Sequence, residues 1–489
     1  MEGTIVRKRD QRRGLRGAPL ASPEPGRRQG HRVNTLLALG LWGTLWFGYN
    51  TSNAYVRSPG FPLNTTELIH GVRAFFPMLA GWIAFLVVLS RANRAMRWIM
   101  GPLGLLLLYA LVGLVSSFIL SVDPIDASYW GGNYLALVMV LLAIVSVDNA
   151  LPDLSKLLVF NWIVSTVMTF ALLGALPFLG RAAAGGDGDV YSETVVRHSY
   201  NGGAMIMGMA GARNTGFGRY AAIAALAGLA RMRTGSRKHQ IIWGVVFVVA
   251  TYALGLSNGR TEVFSFIVSA FLVMYADKSK RVMYFLAGIG AAILLGFKGF
   301  YHQFFEYFTR TGHLDTTMTG RTETWQQGMR ILRDSPWVGL GFQADRIYLN
   351  LQHMHNAFLS AVLQSGVIGG GALLLALTII GFLIAKYFFI HPLRNKDLIP
   401  AEVPGIFLFV IVSSIAESTF AYFSAAWLLS APIVVYVLVL HQQVQQAAAA
   451  VAKEKRKKMI FGWRAARKEA SAATEGLLSS TLDGLPHRR

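Results

Sequence analysis

Residues 99–121 read IMGPLGLLLLYALVGLVSSFILS and contain no charged side chain. A helix of about 20 apolar residues crosses the hydrocarbon core of a bilayer, so this stretch predicts a transmembrane helix. Similar apolar runs recur along the chain, and we predict spans over residues 33–49, 74–90, 99–121, 130–147, 156–179, 219–230, 240–256, 261–276, 282–297, 366–389, 403–418 and 425–440. The sequence therefore predicts an all-α polytopic membrane protein with about 12 transmembrane helices.

The composition agrees with a membrane-embedded chain. Of the 489 residues, 53% are hydrophobic and only 15% are charged, whereas soluble domains carry about 25% charged residues. We therefore expect one helical bundle over residues 33–440 rather than several soluble domains. The chain has no cysteine, which excludes disulfides and thiolate metal sites.

The net charge of +21 is concentrated in two tails, 1–32 and 441–489, and in three short loops. The loops contain Arg91, Arg94 and Arg97; Arg231, Arg233, Arg237 and Lys238; and Lys278, Lys280 and Arg281. Basic loops stay on the cytoplasmic side of a membrane, and alternation of the predicted spans brings all three loops and both tails to that side. The charge is thus explained by topology and by contact with membrane lipids, without a nucleic-acid partner.

The same alternation places a long loop, residues 298–365, on the outer side. Trp325, Met329 and Leu332 recur there at helical spacing, which predicts a helix with these residues on one face. Asp334-Ser335-Pro336 should end the helix, and the glycines after it should turn the chain.

This outer loop contains an ordered set of motifs. Gly-Arg-Thr-Glu-Thr-Trp at 320–325 is followed by Pro-Trp-Val-Gly-Leu-Gly at 336–341, and then by His355-Asn356, nine residues and Gly-Val-Ile-Gly at 366–369. The order resembles the O-antigen ligase and O-antigen polymerase superfamily, whose ligases carry a His-(Asn/Ser/Gln)-x9-Gly-x-x-Gly pattern in a large periplasmic loop. The resemblance covers roughly residues 213–418. Gly370 departs from the ligases, which tend to have Asn, Thr or Tyr there.

The resemblance implies a multi-pass glycosyltransferase of the bacterial inner membrane, with a GT-C-like bundle and a periplasmic active site in and around the catalytic loop 298–365. Such proteins transfer a glycan from an undecaprenyl diphosphate carrier to an acceptor hydroxyl. The acceptor is the lipid A core for a ligase and a growing glycan for a polymerase, and Gly370 leaves both open.

The departing diphosphate gains negative charge, which either a divalent metal or fixed guanidinium groups can stabilise. Arg213, Arg219 and Arg260 lie at outer ends of spans, where the positive-inside rule disfavours them, and they resemble the superfamily's periplasmic arginines. We expect them to bind the donor diphosphate, without a metal or other cofactor, although arginines at span ends often only reach head groups. Asp123 and Asp126 in another outer loop lack the further clustered ligands of a metal site.

His355 is the predicted catalytic base, because histidine titrates near working pH and occupies the motif position. A histidine near a helix start often only caps or packs. Glu417 is a possible partner that orients His355 or binds the acceptor, and Asn356 and Arg321 are further supporting candidates. Arg321 alternatively pairs with Glu323.

Direct attack of the acceptor on the anomeric carbon would invert its configuration. A polysaccharide or lipid-carrier transporter is the alternative from another class, and a membrane scaffold without chemistry is a third. The scaffold leaves the outer arginines unexplained.

Overall fold

The computed structural model describes residues 28–49, 72–147, 151–182, 196–198, 204–206, 208–209, 212–234, 236–257, 259–276, 321–349, 353–390 and 400–483. Helices dominate these segments, which confirms the predicted all-α class. Two short antiparallel ladders are additional, and they pair Val196–His198 (β1) with Ala204–Ile206 (β2) and Gly208–Met209 (β3) with Ala212–Arg213 (β4).

The helices of the first half of the chain are α1 (Arg28–Gly48), α2 (Phe76–Ser90), α3 (Ala92–Ile99), α4 (Pro102–Ile119), α5 (Pro124–Ser146), α6 (Leu151–Ala182), α7 (Asn214–Arg231), α8 (Arg237–Leu256) and α9 (Arg260–Ala276). Those of the second half are α10 (Arg321–Ile331), α11 (Ala344–Tyr348), α12 (Ala357–Ala385), α13 (Glu402–Ser414) and α14 (Ala425–Asp483). A 3-10 turn, Leu332–Asp334, follows α10, and a π-helical turn, Lys386–Ile390, follows α12.

Each predicted span that falls on described residues coincides with one of these helices. The predicted span 282–297 lies outside the described residues. Six helices of the described segments are long and apolar enough to cross a membrane, and α2 with α3, bent by 106°, would make a seventh. The count of about 12 spans therefore stays a prediction.

Several predicted boundaries are wrong, among them the end of α14, which runs to Asp483 instead of 440. Three others show how the local structure sets a helix end. Helix α5 begins at Pro124 instead of 130, because the Asp123 side chain caps it by accepting from the Asp126 backbone N–H at 3.1 Å. Helix α12 begins at Ala357 instead of 366, because Asn356 caps it. Helix α13 ends at Ser414 instead of 418, and the segment after it forms turns.

The chain divides into two compact units. The larger one is Pro25–Leu438 and contains all of the helices through α13 together with the first part of α14. The smaller one comprises Met1–Glu24 and Val439–Arg489, and its described residues, 439–483, continue the helix.

Helix α7 is central to the larger unit, where it packs against α6, α8, α9 and α13. Small side chains make this possible, because they let neighbouring helix backbones approach closely. The fully buried alanines of α7 are Ala221, Ala222, Ala224, Ala225 and Ala227. At Gly228 a Cβ would lie 2.9 Å from the backbone nitrogen of Phe247 in α8, so this crossing requires glycine.

Helix α12 is interrupted at the motif glycine. Ser365 and Gly366 leave helical geometry, and Gly366 has φ +63°, a conformation that glycine adopts at little cost. A Cβ at Gly366 would lie 2.2 Å from the Trp337 carbonyl oxygen. Glycine is therefore required both by the backbone angle and by the close approach of another backbone segment.

The segment that approaches this break is the Pro-Trp-Val-Gly-Leu-Gly motif, 336–341. Its backbone satisfies groups that the interruption frees from the helix. The backbone hydrogen bonds run from Val367 to Pro336 at 2.9 Å, Ile368 to Trp337 at 3.1 Å, Leu340 to Leu363 at 2.9 Å and Gly341 to Gln364 at 2.9 Å. Two motifs that lie well apart in the sequence therefore form one structural unit.

The predicted loop helix is confirmed as α10. Trp325 packs with the buried Leu332 and Met354 in a small apolar cluster, and Gly328 of the same face lets the Met354 sulfur approach. The prediction that Met329 shares this face is wrong, since Met329 is 45% exposed. The Trp325 indole N–H donates to the Met354 carbonyl, which fixes α10 beside the residues that follow it.

Candidate active site

His355 lies directly before α12, and the structure holds it in an unusual conformation. Its φ is +47°, and Gln343 is the other non-glycine residue in the described segments with a positive φ. Such backbone conformations cost about 1–3 kcal/mol and are concentrated at functional sites. The imidazole is 39% exposed, so a substrate can reach it.

Asn356, the second residue of the motif, has two structural roles. Its side-chain oxygen accepts from the backbone N–H groups of Phe358 and Leu359, both at 3.0 Å, and thereby caps α12. Its side-chain nitrogen donates to the Ile415 carbonyl at 3.0 Å. Asn356 thus ties the His355 loop to the turn that follows α13.

That turn contains Glu417, which lies beside His355. The Glu417 Oε2 is 3.8 Å from the His355 Nδ1 and 2.9 Å from a terminal nitrogen of Arg219. Burial alone would raise the pKa of Glu417, but the interactions with His355 and the charges of Arg219 and Arg321 outweigh it and lower this pKa to about 2. Glu417 is therefore a carboxylate at working pH.

Arg219 in α7 has a second carboxylate neighbour that the sequence analysis missed. Its Nε is 3.4 Å from Oε1 of Glu262, whose side chain is 1% exposed. The available signal was an acidic residue within the first turn of a predicted span, because an acid at membrane depth indicates function. One guanidinium thus lies between Glu262 and Glu417.

Arg321, the first residue of α10, also faces this turn. It donates to the Ala416 carbonyl at 3.0 Å, directly before Glu417, and its positive charge helps to lower the pKa of Glu417. The hydrogen bond to Ala416 therefore places Arg321 within the candidate site. The alternative prediction, a pairing with Glu323, would not place it there.

The structure says less about Arg260 and Arg213 than about Arg219. Arg260 begins α9, two residues before Glu262, and is half-buried. The backbone of Arg213 pairs with Gly208 in the second ladder, just before α7, and its side chain lies outside the described atoms. Both roles stay predictions.

The acidic pair at the start of α5 is explained locally. Asp123 caps the helix, and the Asp126 side chain accepts from the Trp130 indole N–H at 3.1 Å. These contacts account for both carboxylates as structural groups of the helix start.

The arrangement is suited to proton transfer. One imidazole nitrogen of His355 faces a carboxylate, which leaves the other available to a substrate in the exposed part of the side chain. A carboxylate next to histidine orients the ring and stabilises the imidazolium that forms when the ring takes a proton. The guanidinium groups of Arg219 and Arg321 in turn keep that carboxylate ionised.

A simpler ion pair lies at the other end of α7, where Arg231 meets Glu402 at the start of α13. Arg231 Nε lies 2.8 Å from Oε1 of Glu402, and its guanidinium lies 5.5 Å from the centre of the Trp243 ring. Arg219 and Arg231 are separated by about 18 Å along α7 at 1.5 Å per residue. The basic loop after Arg231 and the His355 site are therefore at different ends of the same helix.

Known proteins match the segment that contains the predicted base. Residues 245–374 match the family model described as O-Antigen ligase. The match includes Arg260, Arg321, His355 and Gly366, whereas Arg219 and Glu417 lie outside it.

The chain is also similar to the exopolysaccharide production protein ExoQ of Rhizobium meliloti (strain 1021). The two are 38% identical over 71 residues, which is 11% of this chain and 16% of ExoQ. The resemblance predicted from the His355 motif is thereby confirmed, by the match of residues 245–374 to the O-antigen ligase family model.

Proposed function

We propose that this protein is a membrane glycosyltransferase that moves a glycan from a polyprenyl diphosphate carrier to an acceptor hydroxyl. The observation that carries the proposal is the contact between His355 and Glu417, at 3.8 Å. It joins the motif histidine of the O-antigen ligase segment to an ionised carboxylate from a distant part of the chain.

In this mechanism His355 takes the proton of the acceptor hydroxyl while the acceptor oxygen attacks the anomeric carbon. The bond between that carbon and the diphosphate oxygen breaks, and the electron pair leaves with the polyprenyl diphosphate. Glu417 stabilises the imidazolium that results. One displacement inverts the configuration at the anomeric carbon, which NMR of the product checks; a retained configuration would contradict the one-step scheme.

Arginine suits the donor's diphosphate, because its planar fork of donors stays charged and matches phosphate oxygens. We assign this role to Arg260 and Arg213, with Arg219 as the third member of the set. Arg219 is already shared between Glu417 and Glu262, so a diphosphate would have to compete with both side chains. Its first role in the proposal is therefore to hold Glu417.

The proposed enzyme works without a metal or cofactor, since fixed guanidinium groups supply the positive charge. Transfer measured in excess EDTA tests this. Activity that survives chelation supports the assignment, and activity that is lost and returns with Mg²⁺ or Mn²⁺ contradicts it.

The proposed topology has about 12 spans, both ends in the cytoplasm and the active site on the periplasmic side of a bacterial inner membrane. It is supported by the opposite ends that Arg219 and Arg231 occupy on α7, because Arg231 begins a basic loop of the kind that stays cytoplasmic. The chain has no native cysteine, so single cysteines placed near 231 and 355 can be labelled from each side. Labelling of both from the same side would contradict the topology.

Ligase and polymerase remain the two candidate reactions, with the lipid A core or a growing lipid-linked glycan as acceptor. The similarity to ExoQ, an exopolysaccharide production protein, agrees with a polymerase. Gly370 points the same way, because a Cβ there would lie 2.7 Å from a Val362 methyl group, which leaves no room for the residues that ligases tend to carry. Product size decides: a polymerase lengthens the glycan on its carrier, and a ligase makes one transfer to lipid A core.

The decisive experiment uses the purified chain in liposomes with an undecaprenyl-diphosphate-linked glycan and each acceptor. His355→Ala should abolish transfer, whereas the control His239→Ala, in the first turn of α8, should leave it unchanged. If His355→Ala keeps substantial activity with normal insertion, the enzyme assignment fails and the transporter alternative is favoured.

A further inference from the structure

Asp345 is a buried acid that the mechanism above does not use. It has no exposed surface, and its carboxylate collects three donors. The Tyr422 hydroxyl donates to Oδ1, the Arg346 backbone N–H donates to the same oxygen at 3.0 Å, and the Met354 backbone N–H donates to Oδ2 at 3.2 Å. The carboxylate thereby joins three chain segments.

Such a group is costly to bury, because removing a carboxylate from water is repaid only by good partners. Burial raises the pKa of Asp345 despite its hydrogen bonds. Burial and the nearby charge of Asp345 also raise the pKa of Tyr422 well above its ordinary value, so the phenol keeps its proton and stays a donor. Apolar residues could fill this space without the cost of burying a carboxylate. We therefore infer that the contact between Asp345 and Tyr422 has a role beyond packing.

The Asp345 contact fixes the residue before His355. The N–H of Met354 donates to Asp345, and its carbonyl accepts from the Trp325 indole. The Met354 side chain is fully buried, with its sulfur against Gly328. Met354 is therefore held through its backbone on both sides and through its side chain.

The residue after His355 is held as firmly. Asn356 caps α12 and donates to Ile415, so His355 must bridge two fixed neighbours. Its positive φ of +47° is the conformation that this bridge imposes. Since L-residues seldom adopt such angles unaided, the surrounding contacts must over-determine it.

Tyr422 connects this loop to the other half of the proposed site. It lies five residues after Glu417, in the turns between α13 and α14. The hydroxyl groups of Ser418 in the same turns and Ser360 in α12 lie 3.0 Å apart and add a second link, to the helix that follows His355. The contact of Asp345 with Tyr422 thus reaches both partners, His355 through Met354 and Glu417 through its own turn.

We propose that Asp345 and Tyr422 are positioning residues that hold the imidazole of His355 next to Glu417. This inference rests on the proposed function, in which His355 is the base. It assigns Asp345 and Tyr422 no contact with substrate. Their expected effect is on the turnover of bound substrate rather than on donor binding.

Tyr422→Phe tests the proposal by removing one hydroxyl. We expect kcat to fall about tenfold with the KM for the donor within about twofold, since small misplacements of a catalytic group cost rate. The matched control is Tyr129→Phe, which removes another buried hydroxyl, one that donates to the Ala74 carbonyl at 3.2 Å. The control should leave kcat unchanged, and insertion of both variants is verified by size-exclusion chromatography in detergent.

A second measurement needs no activity. Because the chain lacks cysteine, the pair H355C/E417C can be joined by a short bifunctional thiol reagent, which spans the gap left by the two longer side chains, without side reactions of native thiols. Adding Tyr422→Phe should slow formation of this cross-link about tenfold, whereas adding Tyr129→Phe should not change it. Equal rates in all three backgrounds would overturn the positioning role.

The two measurements separate this inference from the proposed function. If His355→Ala is inactive but Tyr422→Phe behaves like Tyr129→Phe in both assays, the positioning role is wrong and the base assignment stands. If His355→Ala is active, the base assignment fails, and the cross-linking rates still decide whether Tyr422 holds His355 beside Glu417.

Discussion

Two arginine–glutamate pairs lie at opposite ends of α7, one with Glu402 at the start of α13 and one with Glu417 in the turn after α13. Arg231 and Glu402 lie 2.8 Å apart with side chains 16% and 4% exposed, and Arg219 and Glu417 lie 2.9 Å apart with side chains 14% and 12% exposed. In distance and burial the two pairs are nearly equal. Their surroundings differ: the first pair lies beside Trp243, whereas the second is shared with another carboxylate and an imidazole.

In the proposed function the same kind of interaction stabilises the fold at one end of α7 and takes part in the chemistry at the other. Arg231 and Glu402 neutralise each other, and the pair is complete. Arg219 lies between two carboxylates, so Glu417 is only partly neutralised by it and can respond to a proton on His355. Because charged groups with perturbed electrostatics cluster at functional sites, the shared pair is the better candidate for the proposed proton transfer.

The largest expected effect is that of Glu417→Gln. An amide cannot stabilise the imidazolium, so we expect kcat to fall about 10²–10³-fold, toward the loss seen when a carboxylate partner of a catalytic histidine is removed. Transfer in liposomes with saturating donor measures it.

The matched control is Glu402→Gln at the other end. It should leave kcat within about twofold and lower the melting temperature, because Arg231 loses a partner that is largely buried. A large loss of kcat in this control would contradict the division between a structural and a functional end.

Exchanging each arginine for lysine should distinguish the two ion pairs of α7 further. A lysine offers one compact charge instead of a planar fork, so Arg219→Lys cannot hold Glu262 and Glu417 together, and we expect kcat to fall about tenfold. Arg231→Lys still meets its single partner, Glu402, and should change kcat little. Equal losses in the two variants would show that the shared geometry of Arg219 is unimportant.

Glu262→Gln probes the extra carboxylate. It replaces a buried carboxyl by an amide of the same shape while Arg219 keeps Glu417, so we expect kcat to change no more than about threefold and the melting temperature to stay level or rise. Thermal unfolding and transfer rates are measured on the same preparation. A loss as large as that of Glu417→Gln would mean that Glu262, not Glu417, is the acid that His355 needs.

The smallest expected effect is on stability at low pH. The pKa of Glu417 is lowered from 4.5 to about 2, so its stabilising contribution is complete above pH 4.5 and is lost as the pH falls toward 2. The melting temperature of the wild type should exceed that of Glu417→Gln by a constant margin above pH 5.5, and the margin should shrink below pH 4.5. A margin that widens on acidification would contradict the direction of the shift.

Much of the fold was predictable because hydropathy and loop charge act locally. The apolar runs predicted all of the described helices except α3, α10 and α11, and the spacing of residues 325–332 predicted α10. Boundaries failed where capping side chains extend a helix or where side chains bind the carbonyls at its end. Asn356 adds turns to the start of α12, and at the end of α13 carbonyls are taken by Asn356 and Arg321.

The motif could be recognised in the sequence, but the structural roles of its residues could not be predicted. His355 was predicted as the base from its motif position, and Gly366 was predicted to open a span. In the structure Gly366 instead lies in a break where the Trp337 backbone crosses it. Met329 failed because the buried face of α10 is set by the position of Met354, which helical spacing cannot specify.

The sequence by itself determined the helical class, most of the described helices and the motif that lies in the segment matching the O-antigen ligase model, 245–374. Only the tertiary structure decided that Glu417 meets both Arg219 and His355, that Glu262 shares the same guanidinium, and that Asp345 reaches Tyr422. These partners come from segments far apart in the chain. Their distances depend on the register in which α7, α9, α12 and α13 pack, and no local pattern in the sequence encodes that register.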